Sequence, residues 1–214
     1  GSLECLKYAH ENGCPWDSHT CSFAAETGQL ECLKYARGRG CPWDAWTCFY
    51  AAEGGHLDVL KWAVENGCPL EGEFVLSSKV AASKKGHLDC LKFFQEQEGD
   101  TFLHEDLFDT SARGVLEWLC FEATARGTLE ELILSGKVAA AKRGDLDTLK
   151  FFQAQEGDTF LLEDLFDNAA KYIRWGVLEW LCLEAAACDN LELLEKGLQQ
   201  CPSHLLARLA GSGP

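Results

Sequence analysis

Twelve cysteines, six histidines and 34 acidic residues supply most of the groups in this 214-residue chain that could do chemistry. The tightest constellation is Asp17-Ser18-His19 with Cys21 two residues on, which has the residue types of a thiol nucleophile and its base. Such a relay needs the base beside the thiol in space, and neighbours at one helix start do not reach that by spacing alone. The second copy of the segment reads Asp44-Ala45-Trp46, so His19 is not constant in the pattern. The expectation is that the chain is not an enzyme and takes no small-molecule substrate. No two histidines stand four apart and no two cysteines form C-x-x-C, so neither the helical nor the zinc ligand pattern is present. Neither a metal nor a cofactor is expected. His56 and His87 each follow a glycine, where a bond to backbone is expected. The carboxylates of "GDTFLHEDLFD" (Gly99–Asp109) are expected to form a solvated acidic face.

The cysteines are better explained by position. Cys5/Cys32, Cys14/Cys41/Cys68 and Cys21/Cys48 are each separated by 27 residues. Equivalent positions on packed helices lie about 8–10 Å apart, beyond the roughly 7 Å between Cα atoms that a disulfide allows. Same-position pairs are therefore excluded, while different-position pairs such as Cys14 with Cys21 stay open. The expected state is a set of small buried hydrophobes in a reducing, intracellular compartment, cytoplasm or nucleus. A net charge of −15 argues against nucleic acid as partner, and no apolar run approaches the roughly 20 residues that span a bilayer.

These residues ride on a repeat. Rows begin at Leu3, Leu30, Leu57, Leu88, Leu116, Leu146 and Leu178, in steps of 27 to 32 residues. A self-similar period of this size predicts a solenoid. The segment 79–109 returns at 137–167, so two rows are duplicated together, and a four-residue insertion lies near Tyr172–Trp175. Each row reads as two helices. Leu30, Cys32, Leu33, Tyr35 and Ala36 make an apolar face at helical spacing, with Glu31 and Lys34 as an i,i+3 pair on the other side. In the rows of Leu116 and Leu178 the lysine's place falls to Cys120 and Cys182, which predicts a covered face there.

"GCPWD", at Gly13–Asp17 and Gly40–Asp44, then reads as a joint. Gly40 stops the first helix, Pro42 keeps it from resuming, and Asp44 caps the second. Trp43 and Cys48 take the two positions of a hydrophobic staple, as do Trp16 and Cys21. The second helix ends in Ala51-Ala52 before Gly55, and small residues there predict close helix approach. A single array over residues 1–210 and a tail at 211–214 follow. Leu3 opens in mid-row, which predicts that an inner helix has been cut away, and "SHLLARLA" (Ser203–Ala210) reads as a closing helix.

The run "AAEGGHLDVLK" (Ala51–Lys61) resembles an ankyrin repeat, and the "GCPWD…TC…AA…GHL…LKW" wording is similar to the short ankyrin repeats of giant viruses and some microbial eukaryotes. "HTCS" (19–22) and "WTCF" (46–49) stand in place of the usual "TPLH", and the 27-residue period clips the projecting finger. The resemblance implies an all-α, ankyrin-like solenoid of about seven helix-turn-helix repeats that binds another protein through its concave face, without catalysis.

Two sets of residues are candidates for that face. Lys84-Lys85, Ala112-Arg113, Lys142-Arg143 and Arg174-Trp175 each stand before a glycine read as an inner-helix stop. They form either a basic stripe for a partner with an acidic patch or cations favoured by the helix dipole. Between the first two rows, His19/Trp46 and Ser22/Phe49 vary on a fixed scaffold; Trp46 and Phe49 either present an aromatic patch or belong to the core. A protein-interaction module is the first reading, and an architectural subunit or spacer within a large assembly is the second.

Overall fold

The computed structural model describes residues 2–98, 104, 106–107, 112–127, 129–156 and 163–211. Among them the chain is all-α, with no strand. The helices are α1 (Leu3–Glu11), α2 (Ser18–Glu26), α3 (Leu30–Gly38), α4 (Ala45–Glu53), α5 (Leu57–Glu65), α6 (Glu73–Lys85), α7 (Leu88–Glu98), α8 (Arg113–Arg126), α9 (Leu129–Arg143), α10 (Leu146–Glu156), α11 (Glu163–Lys171), α12 (Trp175–Ala187), α13 (Leu191–Gln200) and α14 (Ser203–Gly211). They group into two compact units, Gly1–Glu122 and Ala123–Pro214. None is long and apolar enough to cross a membrane.

Helices pack in neighbouring pairs. In the first unit α2 packs on α3 and α4, α4 on α5 and α6, and α6 on α7. In the second, α9 packs on α10 and α11, α11 on α12, and α12 on α13 and α14. The second row shows why. α3 buries Cys32, Leu33 and Ala36 and holds Glu31 against Lys34 at 2.8 Å on its outer side. Leu33 and its counterparts Leu60 and Leu91 are fully buried, each worth about 1.5–3 kcal/mol relative to exposure. Gly40 then turns left-handed (φ +82°), and its N–H bonds Arg37 O while Cys41 N–H bonds Ala36 O. That pair of bonds is the glycine-terminated C-cap. Asp44 accepts from the Trp46 N–H at 3.1 Å and opens α4. α4 buries Thr47, Cys48, Ala51 and Ala52, whose short side chains let it approach both α2 and α6.

The register of two rows differs from the expected one. Gly114 and Gly176 are second residues of α8 and α12, not stops. The buried triplets Val115-Leu116-Leu119 and Val177-Leu178-Leu181 match Cys32-Leu33-Ala36, so these rows begin at Arg113 and Trp175, three residues before Leu116 and Leu178. Glu117 and Glu179, not Cys120 and Cys182, therefore hold the place of Lys34. The left-handed turn before α12 is made by Ile173 (φ 58°), a β-branched residue that carries no stop signal in sequence. The duplicated rows repeat one tie: Gln95 Nε2 donates to Glu122 Oε2 and Gln153 Nε2 to Glu184 Oε2, both at 2.6 Å.

Candidate functional site

The second helices of the first unit carry the most distinctive surface. Thr47, Cys48, Ala51 and Ala52 commit one side of α4 to packing, which turns Trp46, Phe49 and Tyr50 to the other. Trp46 is 46% exposed and Phe49 half-buried, so both belong to a surface patch and not to the core. The indole of Trp46 meets Phe49 and Phe74 edge-on, with centroids 5.3 Å away in both cases, and stacks on Tyr50 at 5.7 Å. Phe74 comes from an extra first turn of α6 that α2 and α4 lack. Trp46, Phe49, Phe74, Glu73 and Ser77 line a cavity of about 190 Å³. On α2, Phe23 stands where Tyr50 does and is 62% exposed. His19 stands where Trp46 does; its ring is exposed, with Nδ1 3.4 Å from Asp17 Oδ2. Sequence comparison singled out positions 46 and 49 because they vary between rows. It missed Phe74 and Glu73 because "EGEF" has no counterpart in the first two rows.

The basic residues divide. Lys84 and Lys85 end α6, and Lys142 and Arg143 end α9 in the other unit; all four are exposed at helix C-termini, where the dipole favours cations. Arg113 is instead the first residue of α8. Arg174 precedes α12, and its Nε donates to Lys142 O at 2.8 Å, so it caps a neighbouring helix. His56 does the same in the first unit, with Nε2 3.0 Å from Glu26 O, at the equivalent position before its stop. Arg113 and Arg174 thus do not share the placement of the lysines, and the four-step stripe reduces to one exposed pair in each unit.

Two of the thiols tie the joints together. Cys41 Sγ donates to Asp17 O at 3.2 Å and Cys68 Sγ to Asp44 O at 3.3 Å, tying each joint to the one before it. This gives the cysteine of "GCPW" a role that spacing did not show. Trp16 stacks on His10 at 3.8 Å, and Trp43 lies against Trp62 and under the Arg37 guanidinium, so both tryptophans pack on first helices. Cys21 is fully buried, and burial pushes its thiol up, against the needs of a nucleophile. The His104–Asp106 pair, at 3.2 Å, is exposed. Among the described residues no group of three or more His, Cys, Asp or Glu could hold a metal. Most of Gly99–Asp109 and residues 157–162, with the tail from 212, lie outside the described residues. One charged pair was missed altogether: Lys79, buried at the place of Cys48, holds Glu98 at 2.7 Å.

Neither a comparison with protein-family models nor one with curated proteins finds a match to this chain. The functional reading accordingly rests on the arrangement of the surface.

Proposed function

We propose that the chain is an ankyrin-like α-solenoid acting as a protein–protein interaction module, with the face of its second helices, concave in such a stack, as the binding surface and no catalytic activity of its own. The paired helices and the tight approach of α2, α4 and α6 through small residues support the architecture. The exposed ring cluster around Trp46 carries the functional part. A folded chain gains nothing from leaving an indole 46% and a phenyl 62% exposed on neighbouring helices, whereas aromatic anchors of this kind dominate protein interfaces. Lys84 and Lys85, at the far end of α6, add a charged contact for an acidic segment of the same partner. The compartment proposed is intracellular and reducing, in keeping with Cys21, Cys41, Cys48 and Cys68 buried as thiols.

The test is capture from native lysate on the immobilised chain, beside Trp46→Ala/Phe49→Ala and Lys84→Glu/Lys85→Glu variants of unchanged helicity. A band lost with the aromatic variant and weakened by the charge variant supports the module. An identical set of bands on all three overturns it.

A second reading, an architectural subunit of a larger assembly, draws on apolar exposure elsewhere. Tyr8, Phe121, Leu183 and Leu206 are each 38% exposed or more, and the last two line a cavity of about 460 Å³ beside α12, α13 and α14. Size-exclusion chromatography separates the two: a monodisperse monomer favours the module, and concentration-dependent assembly favours the subunit.

A further inference from the structure

We propose that the ring cavity on α4 and α6 receives a trimethylated lysine side chain of the partner protein. The inference rests on the interaction-module reading and specifies the chemistry of its partner.

Three rings bound the cavity. The indole of Trp46 stands at 78° to Phe49 and 82° to Phe74, so two phenyl rings lie nearly perpendicular to a third ring plane. Each ring face carries the negative lobe of its quadrupole, and a cation within about 6 Å of the centroids is attracted by all three. Glu73 lines the same space and supplies a formal negative charge, and no basic residue lines it. Within α6, Lys79 is buried and paired with Glu98 at 2.7 Å, and Lys84 and Lys85 lie ten or more residues beyond Phe74, roughly 15 Å along the helix. In a chain of net charge −15 the cavity is thus complementary to a cation.

Methylation follows from the scarcity of acceptors. A bare ammonium is strongly hydrated and brings three N–H donors. The lining offers it one carboxylate and the Ser77 hydroxyl, and the rest is ring. A trimethylammonium keeps the charge, has no donor to satisfy and presents methyl groups to the ring faces. An uncharged apolar side chain would bury the Glu73 carboxylate without compensation. The site is also no by-product of the scaffold. On α2 the positions of Trp46 and Phe49 carry His19 and Ser22, and where α9 repeats the extra turn of α6, with Glu131 in the place of Glu73, Leu132 stands in place of Phe74.

The probe is a short Gly/Ala peptide with a central trimethyllysine, titrated into the full chain while the Trp46 indole N–H is followed by NMR. Its counterparts carry unmodified lysine, arginine, or the neutral tert-butyl isostere of trimethyllysine. The trimethylated peptide is expected to bind about tenfold more tightly than each of the others. Glu73→Gln, which conserves shape, and Phe74→Ala should each weaken it by about tenfold with the other indole signals unmoved. Equal binding of the neutral isostere, tighter binding of lysine or arginine, or no shift at millimolar peptide would overturn the proposal. In any of those cases the capture experiment still judges the parent reading: a partner lost on Trp46→Ala/Phe49→Ala but retained on Glu73→Gln keeps the module and removes methyllysine.

Discussion

Gly40 and Gly55 form a matched pair on which the packing of rows can be measured. Both are left-handed, with φ of +82° and +74°. Alanine at either incurs the left-handed penalty of ~1–2 kcal/mol. Their surroundings differ. A Cβ on Gly40 would meet nothing within 4 Å, whereas a Cβ on Gly55 would stand 2.4 Å from Nδ1 of His87, which is carried by the next row. That overlap must be relieved by moving the ring or the row, at a further cost of ~1–3 kcal/mol. Gly40→Ala should therefore lower stability by about 1–2 kcal/mol and Gly55→Ala by about 2–5 kcal/mol. The assay is urea unfolding followed by circular dichroism, repeated in a His87→Ala background. There the cost of Gly55→Ala should fall to that of Gly40→Ala, while Gly40→Ala itself is unchanged. A coupling between positions 55 and 87 below about 0.5 kcal/mol would refute the reasoning, since that is the scatter of independent sites.

Other outcomes follow from single observations. Ile173→Gly should stabilise the chain by about 1 kcal/mol, because a β-branched residue 66% exposed gives up its left-handed strain and loses little burial; a raised unfolding midpoint is the check. Lys79→Met should destabilise by about 3 kcal/mol by removing the cation that faces the Glu98 carboxylate, and Glu98→Gln in that background should restore part of the loss. At pH 8 the native chain should show fast alkylation at Cys5, Cys14 and Cys188, which are exposed. Burial pushes Cys90 up to about 11 and Cys182 up to about 12, so both remain neutral thiols at that pH and should label only on unfolding, as mass spectrometry of the modified peptides would show.

Local chemistry was legible in the sequence, and contacts between rows were not. The joint could be read because each step is a short-range rule: Gly40 for the left-handed turn, Pro42 against continuation, Asp44 for the cap. The same reliance on glycine misplaced two rows, because Ile173 makes a turn that nothing in its chemistry announces and Gly176 lies within a helix. Arg113 and Arg174 were misassigned with it. Trp46 and Phe49 could be found by comparing the first two rows, but their companions Glu73 and Phe74 come from a turn that those two rows lack. The Cys41 thiol on Asp17 O and the Lys79–Glu98 pair link residues 24 and 19 apart across helices, a separation on which helical periodicity is silent.

The claim that the second-helix face of the first unit binds a partner is met most directly by photo-crosslinking. A benzoyl-phenylalanine at position 46 samples that face, and one at exposed position 61 samples the outer side of α5. Crosslinks to one discrete protein from position 46 and none from position 61 are the predicted result. Crosslinking from position 61 alone, or equally from both, would contradict it.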